Sequence, residues 1–399
     1  MAKTLVYQMW PRSWNNLEEM MAHLPRIKAL GADYVWLSPL YPSPGCDHGY
    51  DIADYMAIDT QFGTMGDFDN FVETAHRLDL KVMMDLVLNH TSTKHQWFKS
   101  HPEYYCWDDA DRPGWKNLFD GGSAWALDAK RGRYYLHLFH EKQADLNWFP
   151  NGKISRALVK EFREIVKFWL KEHAVDGFRL DVPQCINKKL TKSKLDFSDL
   201  LMGDQSIDVI NALFSGCRAP KTLSGGRPFL IMECFDPTYG DIIDQYAYQT
   251  RVDFFLNVTL KSAIDEGRDV FNDALDRSVA SPYFMLDLES HDAPRFTSRS
   301  GLSATEIAEI MFESRADAIC LYQGQELGLL NPSSSQLSDE DLCALDMQTA
   351  MRHARGESLD SLRPLSRANA RVHLPLKVYD VPSVRRLYIL AVDTWKRRP

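Results

Sequence analysis

Two observations predict an α/β fold built as a closed (β/α)8 barrel of the TIM type: eight short apolar runs, and amphipathic stretches between them. The runs cover residues 5–9, 34–37, 82–88, 177–182, 229–233, 252–258, 284–288 and 318–322. Strands that are apolar nearly throughout belong to a parallel sheet covered on both faces. Eight such units joined by helices close on themselves. A third observation weighs against an open doubly wound sheet. The first run is followed by Gln8-Met9-Trp10-Pro11-Arg12-Ser13, where such a sheet would carry a glycine-rich phosphate turn.

The elements follow in order. Amphipathic helices are predicted over 68–78, 154–173, 206–214, 270–275 and 305–315. The second is the clearest, because Leu158, Phe162, Ile165, Val166 and Trp169 recur at three- and four-residue spacing. Between the third strand and that helix, 91–150 is too long for a barrel turn and is rich in Trp, Tyr, His, Asp and Gly. It reads as a small inserted subdomain beside the mouth of the barrel. The barrel itself takes 1–90 and 151–362. After 322 the pattern gives a helix over 339–355, then strand character over 384–392, so 363–399 is expected to be a truncated C-terminal β extension.

Composition narrows the function. At 399 residues, with 45% hydrophobic and 25% charged residues, the chain has ample material for a large soluble core. The formal charge of -9 argues against nucleic acid and anionic membranes as partners. No stretch is long and apolar enough for a membrane span, and the N-terminus lacks a secretory h-region. Seven scattered cysteines form no C-x-x-C pair, which points to free thiols and a cytoplasmic location. Ten Trp and sixteen Tyr fit either a large core or a platform on which sugar rings stack.

The chemistry sits at the strand ends. Asp85, Asp181, Glu233 and Asp292 fall at or near the C-terminal ends of separate strands, where a parallel barrel converges its side chains on one mouth. Arg179 and Asp181 are two apart on one strand and share a face. An Arg beside that Asp is expected to keep it ionised, as a nucleophile requires, while apolar neighbours and nearby carboxylates suit Glu233 to a general acid. Glycoside hydrolysis divides labour between two carboxylates in this way. Asp292 could stabilise positive charge at the anomeric centre, and His90 and His291 could hydrogen-bond the same ring.

Together these motifs resemble the α-amylase superfamily of retaining α-glycosidases (glycoside hydrolase family 13), along nearly the whole chain. The resemblance rests on DLVLNH at 85–90, GFRLD at 177–181, Glu233 and SHD at 290–292. Further matches are QADLN at 143–147, YQGQELG at 322–328 and HGYDIADY at 48–55. The resemblance implies Asp181 as nucleophile, Glu233 as acid/base and Asp292 as transition-state stabiliser. By the same match Tyr50, Asp51, His90, Arg179 and His291 bind substrate, and Asp85 organises the strand end and Arg179; Arg295, three beyond Asp292, is a further substrate-binding candidate, with a surface role as its alternative. The nearest branch is that of α-glucosidases and oligo-1,6-glucosidases, acting on short α-glucosides, and Val182 after the nucleophile leans towards α-1,6 linkages. A transglucosidase or isomerase of sucrose or trehalose type would use the same residues, and a non-catalytic sugar-binding protein is a remoter alternative. No cofactor is implied. Asn15-Asn16-Leu17-Glu18-Glu19 replaces the acidic calcium loop of many relatives, and Asn89 and Asp145, which match calcium-holding positions of α-amylases, supply only two oxygens.

Overall fold

The eight apolar runs become the parallel strands of one closed barrel. Numbering the barrel strands alone, they are β1 (Thr4–Met9), β2 (Tyr34–Leu37), β3 (Lys81–Val87), β4 (Gly177–Asp181), β5 (Phe229–Cys234), β6 (Phe254–Asn257), β7 (Phe284–Leu286) and β8 (Ala318–Tyr322). Each pairs with the next, and β8 closes on β1 with Gln8 opposite Tyr322. The computed structural model describes residues 3–201, 203–216, 219–373 and 382–398.

Alternation along each strand makes two apolar layers. Val6, Trp36, Met83, Ile231, Leu256, Met285 and Cys320 fill the barrel, while Leu5, Val35, Val82, Phe178, Leu230, Phe255 and Ile319 face the helices. Gly177 opens β4 for a steric reason: a Cβ there would lie 2.1 Å from the Phe229 carbonyl oxygen. The close approach of β4 to β5 that sets up the site therefore requires glycine.

The helix ends follow from local chemistry. Met65–Arg77 and Ala304–Glu313 each open on a reciprocal cap, Thr64 with Asp67 and Ser303 with Glu306. The helix predicted over 154–173 is regular only over Arg156–Lys167, capped by Ser155, and widens into a looser turn over Phe168–Glu172. The helix predicted over 339–355 is two, Asp339–Leu345 and Met347–Ala354. The break is at Asp346, whose side chain accepts a hydrogen bond from the Gln348 amide and caps the second helix. The run at 252–258 ends earlier than predicted because Asn257 caps a further helix, Val258–Glu266.

The predicted C-terminal β extension is corrected. Among the described residues of that segment, Ala368–Arg371 and Pro382–Arg397 are helical, the latter taking in the expected strand at 384–392. Its apolar run also carries a helical period: Tyr388, Val392 and Trp395 are buried while Leu390 is exposed. That face docks with Phe312 of helix Ala304–Glu313, where Tyr388 and Trp395 meet its ring. Pro382 suits a first helical turn, and Lys396 and Arg397 suit a last one.

Between β3 and helix Arg156–Lys167, His90–Ser92 pairs antiparallel with Gln143–Asp145. A three-stranded antiparallel sheet follows from Trp107–Asp108, Trp125–Asp128 and Arg133–Leu136. Trp115, Trp125 and Leu136 form its core, which also takes in Val182 and Cys185 just beyond β4. Among the described residues no helix is long and apolar enough to cross a membrane.

Candidate active site

Strand register assembles the carboxylates. Asp85 of β3 lies opposite Arg179 of β4, and Arg179 opposite Ile231 of β5. Two residues further on, the same register sets Asp181 beside Glu233 on neighbouring strands, which lie about 4.8 Å apart in a sheet. Arg179, buried in the barrel, ties the three together. Its Nη1 donates to Asp85 Oδ1 at 2.5 Å and Asp181 Oδ1 at 2.6 Å, and its Nη2 to Glu233 Oε2 at 2.7 Å. Asp85 also accepts from Trp36 Nε1 at 2.9 Å, which leaves it wholly occupied.

One guanidinium is shared among three carboxylates. Burial raises the Asp181 carboxyl well above its usual value; Arg179 opposes this, and Glu233, Asp85 and Asp292 reinforce it. Burial likewise pushes Asp85 up to about 6. Arg179 acts in the expected direction, its guanidinium favouring the ionised carboxylate that a nucleophile requires and offsetting part of the desolvation. Directly after Asp181, Val182 adopts the left-handed region at φ 31°, a strained position for a β-branched residue. The chain turns there into Pro183–Ile186, leaving the Asp181 side chain at the strand end.

Asp292 has the opposite surroundings. Burial alone would raise its carboxyl, but His291, Arg371 and Arg367 together hold it well below the usual range. Its Oδ2 lies 2.9 Å from His291 Nε2, and its Oδ1 lies 3.1 Å from Arg371 and 3.4 Å from Arg367. The His291 ring lies nearly parallel to those of Trp10 and Tyr50, with ring centroids at 4.7 and 5.3 Å, and its Nε2 meets the Tyr50 hydroxyl at 2.6 Å. Burial lowers His291 to about 4 and His90 to about 3, so both rings are neutral at pH 7.

These groups face one cavity of about 450 Å³. Tyr50, His90, Asp181, Glu233 and Asp292 line it, so five of the predicted residues converge. Arg179 and His291 stand directly behind them. Two do not reach the cavity. Asp51 binds its own loop, accepting from Ser43 Oγ at 2.6 Å and from the Cys46 and Asp47 amides. Arg295 is buried against Glu289 at 3.1 Å, over the Tyr322 ring. Sequence reasoning missed Asp47, Arg367 and Arg371. Asp47 adjoins the HGYDIADY segment, and a pair of arginines four apart in RANAR could have signalled a shared helical face. It also missed the aromatic wall of Phe119, Phe139, Phe197 and Phe235. Arg367 pairs with Asp346 at 2.9 Å and Asp47 at 3.5 Å, so the segment after β8 reaches back over the mouth.

Asn89 and Asp145 do not fit a calcium ion. The Lys188 ammonium lies between them, 2.5 Å from Asn89 Oδ1 and 3.3 Å from Asp145 Oδ2, and supplies the positive charge itself. All three are buried.

A family profile described as the catalytic domain of alpha amylase matches residues 10–212. Probable oligo-1,6-glucosidase 3 of Bacillus subtilis (strain 168) is 32% identical over 89% of this chain and 71% of its own length. The oligo-1,6-glucosidase of Parageobacillus thermoglucosidasius is 44% identical over a shorter stretch, 47% of this chain and 35% of its own. Among solved structures, the trehalose-6-phosphate hydrolase of Bacillus licheniformis is similar with a TM-score of 0.82 at 27% identity, covering 100% of this chain and 84% of that one.

Proposed function

The chain belongs to the alpha-amylase family, and we propose that it is a retaining hydrolase releasing glucose from short, neutral α-glucosides, α-1,6 or α-1,4 linked. The observation that carries this reading is the Arg179 bridge: two carboxylates on adjacent strands, both hydrogen-bonded to one guanidinium, at the wall of a sugar-sized cavity. Sharing one guanidinium favours the short carboxyl separation of double displacement, about 5 Å, over the roughly 6.5–9.5 Å that leaves room for an attacking water.

Asp181 attacks the anomeric carbon while Glu233 protonates the departing glycosidic oxygen. Glu233 then takes a proton from water, which attacks the same carbon, frees glucose in its original configuration and regenerates Asp181. Asp292, held ionised by two arginines, faces the charge that develops at the anomeric centre. Tyr50 and His90 hold the ring from the cavity wall, and His291 supports Tyr50 and Asp292 from behind.

A neutral substrate is supported by charge. Asp47, Asp181, Glu233 and Asp292 line the cavity against a single lining cation, Arg367, which already faces Asp47, Asp292 and Asp346. A phosphorylated sugar would meet a surplus of carboxylates, whereas the phenylalanine wall suits the C–H faces of a neutral ring. A cytoplasmic location remains a proposal, supported by six described cysteines that are all free thiols.

Asp181→Asn tests the assignment. Its hydrolysis of p-nitrophenyl α-glucoside should fall by at least about 10³-fold with the melting temperature nearly unchanged, since the amide oxygen can still accept from Arg179. Near-wild-type turnover in a folded variant would refute the role of Asp181.

A further inference from the structure

A concavity of about 750 Å³ shares no residue with the catalytic cavity. It lies between helix Arg156–Lys167, with its extension Phe168–Glu172, and Ala212 together with residues 219–221. Its floor includes the apolar Ile154, Val159, Ala219 and Pro220. Its rim carries Arg156, Lys160, Arg163, Lys167, Lys171 and Lys221 against one carboxylate, Glu164. The first four are spaced by four, three and four residues, which aligns them along one helix face. In a chain of net charge -9 this concentration runs against the composition.

The way these cations are held matters more than their number. Arg163 Nε donates to the Ala212 carbonyl at 2.8 Å, and Lys171 Nζ to the Thr222 carbonyl at 2.7 Å. A carbonyl fixes a cation in place without cancelling its charge. Only Lys167 meets the cleft's carboxylate, at 3.3 Å from Glu164. No ion pair engages Arg156, Lys160 or Lys221 among the described residues, so most of the rim charge is unneutralised.

We propose that this cleft binds a small polyanion bearing several phosphoryl groups, either a free oligophosphate or the phosphate chain of a nucleotide. Its volume lies within the roughly 300–1,000 Å³ of small-molecule sites, and its concavity suits a compact anion better than an extended nucleic acid. Phosphoryl oxygens match a rim of guanidinium and ammonium donors, while the apolar floor offers a surface for a base.

Isothermal titration calorimetry of the whole chain at low salt, with tripolyphosphate and with ATP as probes, tests this. At least one probe should saturate a single site. The double variant Lys160→Ala/Lys221→Ala should weaken that binding by roughly tenfold or more, because it removes two charge-assisted contacts. The matched variant Lys99→Ala/Lys130→Ala removes the same charge from exposed positions outside the cleft and should bind as wild type does. Tighter binding of ATP than of tripolyphosphate assigns a nucleotide, and equal binding assigns the phosphate chain alone. Absence of saturable heat with both probes, or equal weakening in the two double variants, overturns the proposal.

Discussion

Arg179 shows how much a single residue can organise. It sits on the inward face of β4, and its two terminal nitrogens reach carboxylates on three strands. The sequence made this legible, because residues two apart at a strand end share a face and converge with other strand ends. It did not make Arg367 and Arg371 legible. They enter the site from beyond β8, and only tertiary packing brings them to Asp292. Nor could it show that Asp51 spends its oxygens on its own loop, since the same motif fits a loop organiser and a ligand. Single residues also set a pH dependence. Buried His95 is lowered to about 4 by desolvation, with Asp54 opposing. The folded state therefore binds fewer protons than the unfolded one between about pH 4 and 6.5, so stability present above that window is lost as pH falls through it. His95→Asn keeps an acceptor for the Trp97 amide but removes the titration. Between pH 7 and 4.5 the wild type should lose about 2–3 kcal/mol more than this variant, read from urea unfolding at the two pH values. Parallel losses would contradict the neutral, buried state of His95.

At the scale of elements, strands were easier to read than helix ends. A continuous apolar run bounded by polar residues has one buried solution in a parallel barrel, and all eight runs took it. Helix limits depend on single capping contacts, such as Asp346 splitting 339–355 and Asn257 starting a helix where strand was expected. The C-terminal segment failed for a clearer reason. Residues 384–392 carry both an unbroken apolar run and a three-four spacing, and the neighbouring helix decides between them. If that docking stabilises the barrel, Trp395→Ala should lower stability by about 3–5 kcal/mol. Trp395 is wholly buried, contacts Phe312 and donates its indole N–H to the Ala316 carbonyl at 3.0 Å. A chemical-denaturation midpoint unchanged from wild type would mean that the segment packs only loosely.

For the whole molecule, the barrel explains why residues from Tyr50 to Asp292 form one site, and why its field is negative: carboxylates crowd the mouth of an acidic protein and one lining arginine answers them. Of linkage preference only the lean of Val182 towards α-1,6 was legible, because spacing does not encode the shape that Val182 and the phenylalanine wall give the cavity. The central claim is double displacement through Asp181 and Glu233, and the anomer of the first glucose released tests it most directly. Followed by proton NMR during early hydrolysis of p-nitrophenyl α-glucoside, the account predicts α-glucose appearing first and mutarotating later. Initial release of β-glucose would contradict it.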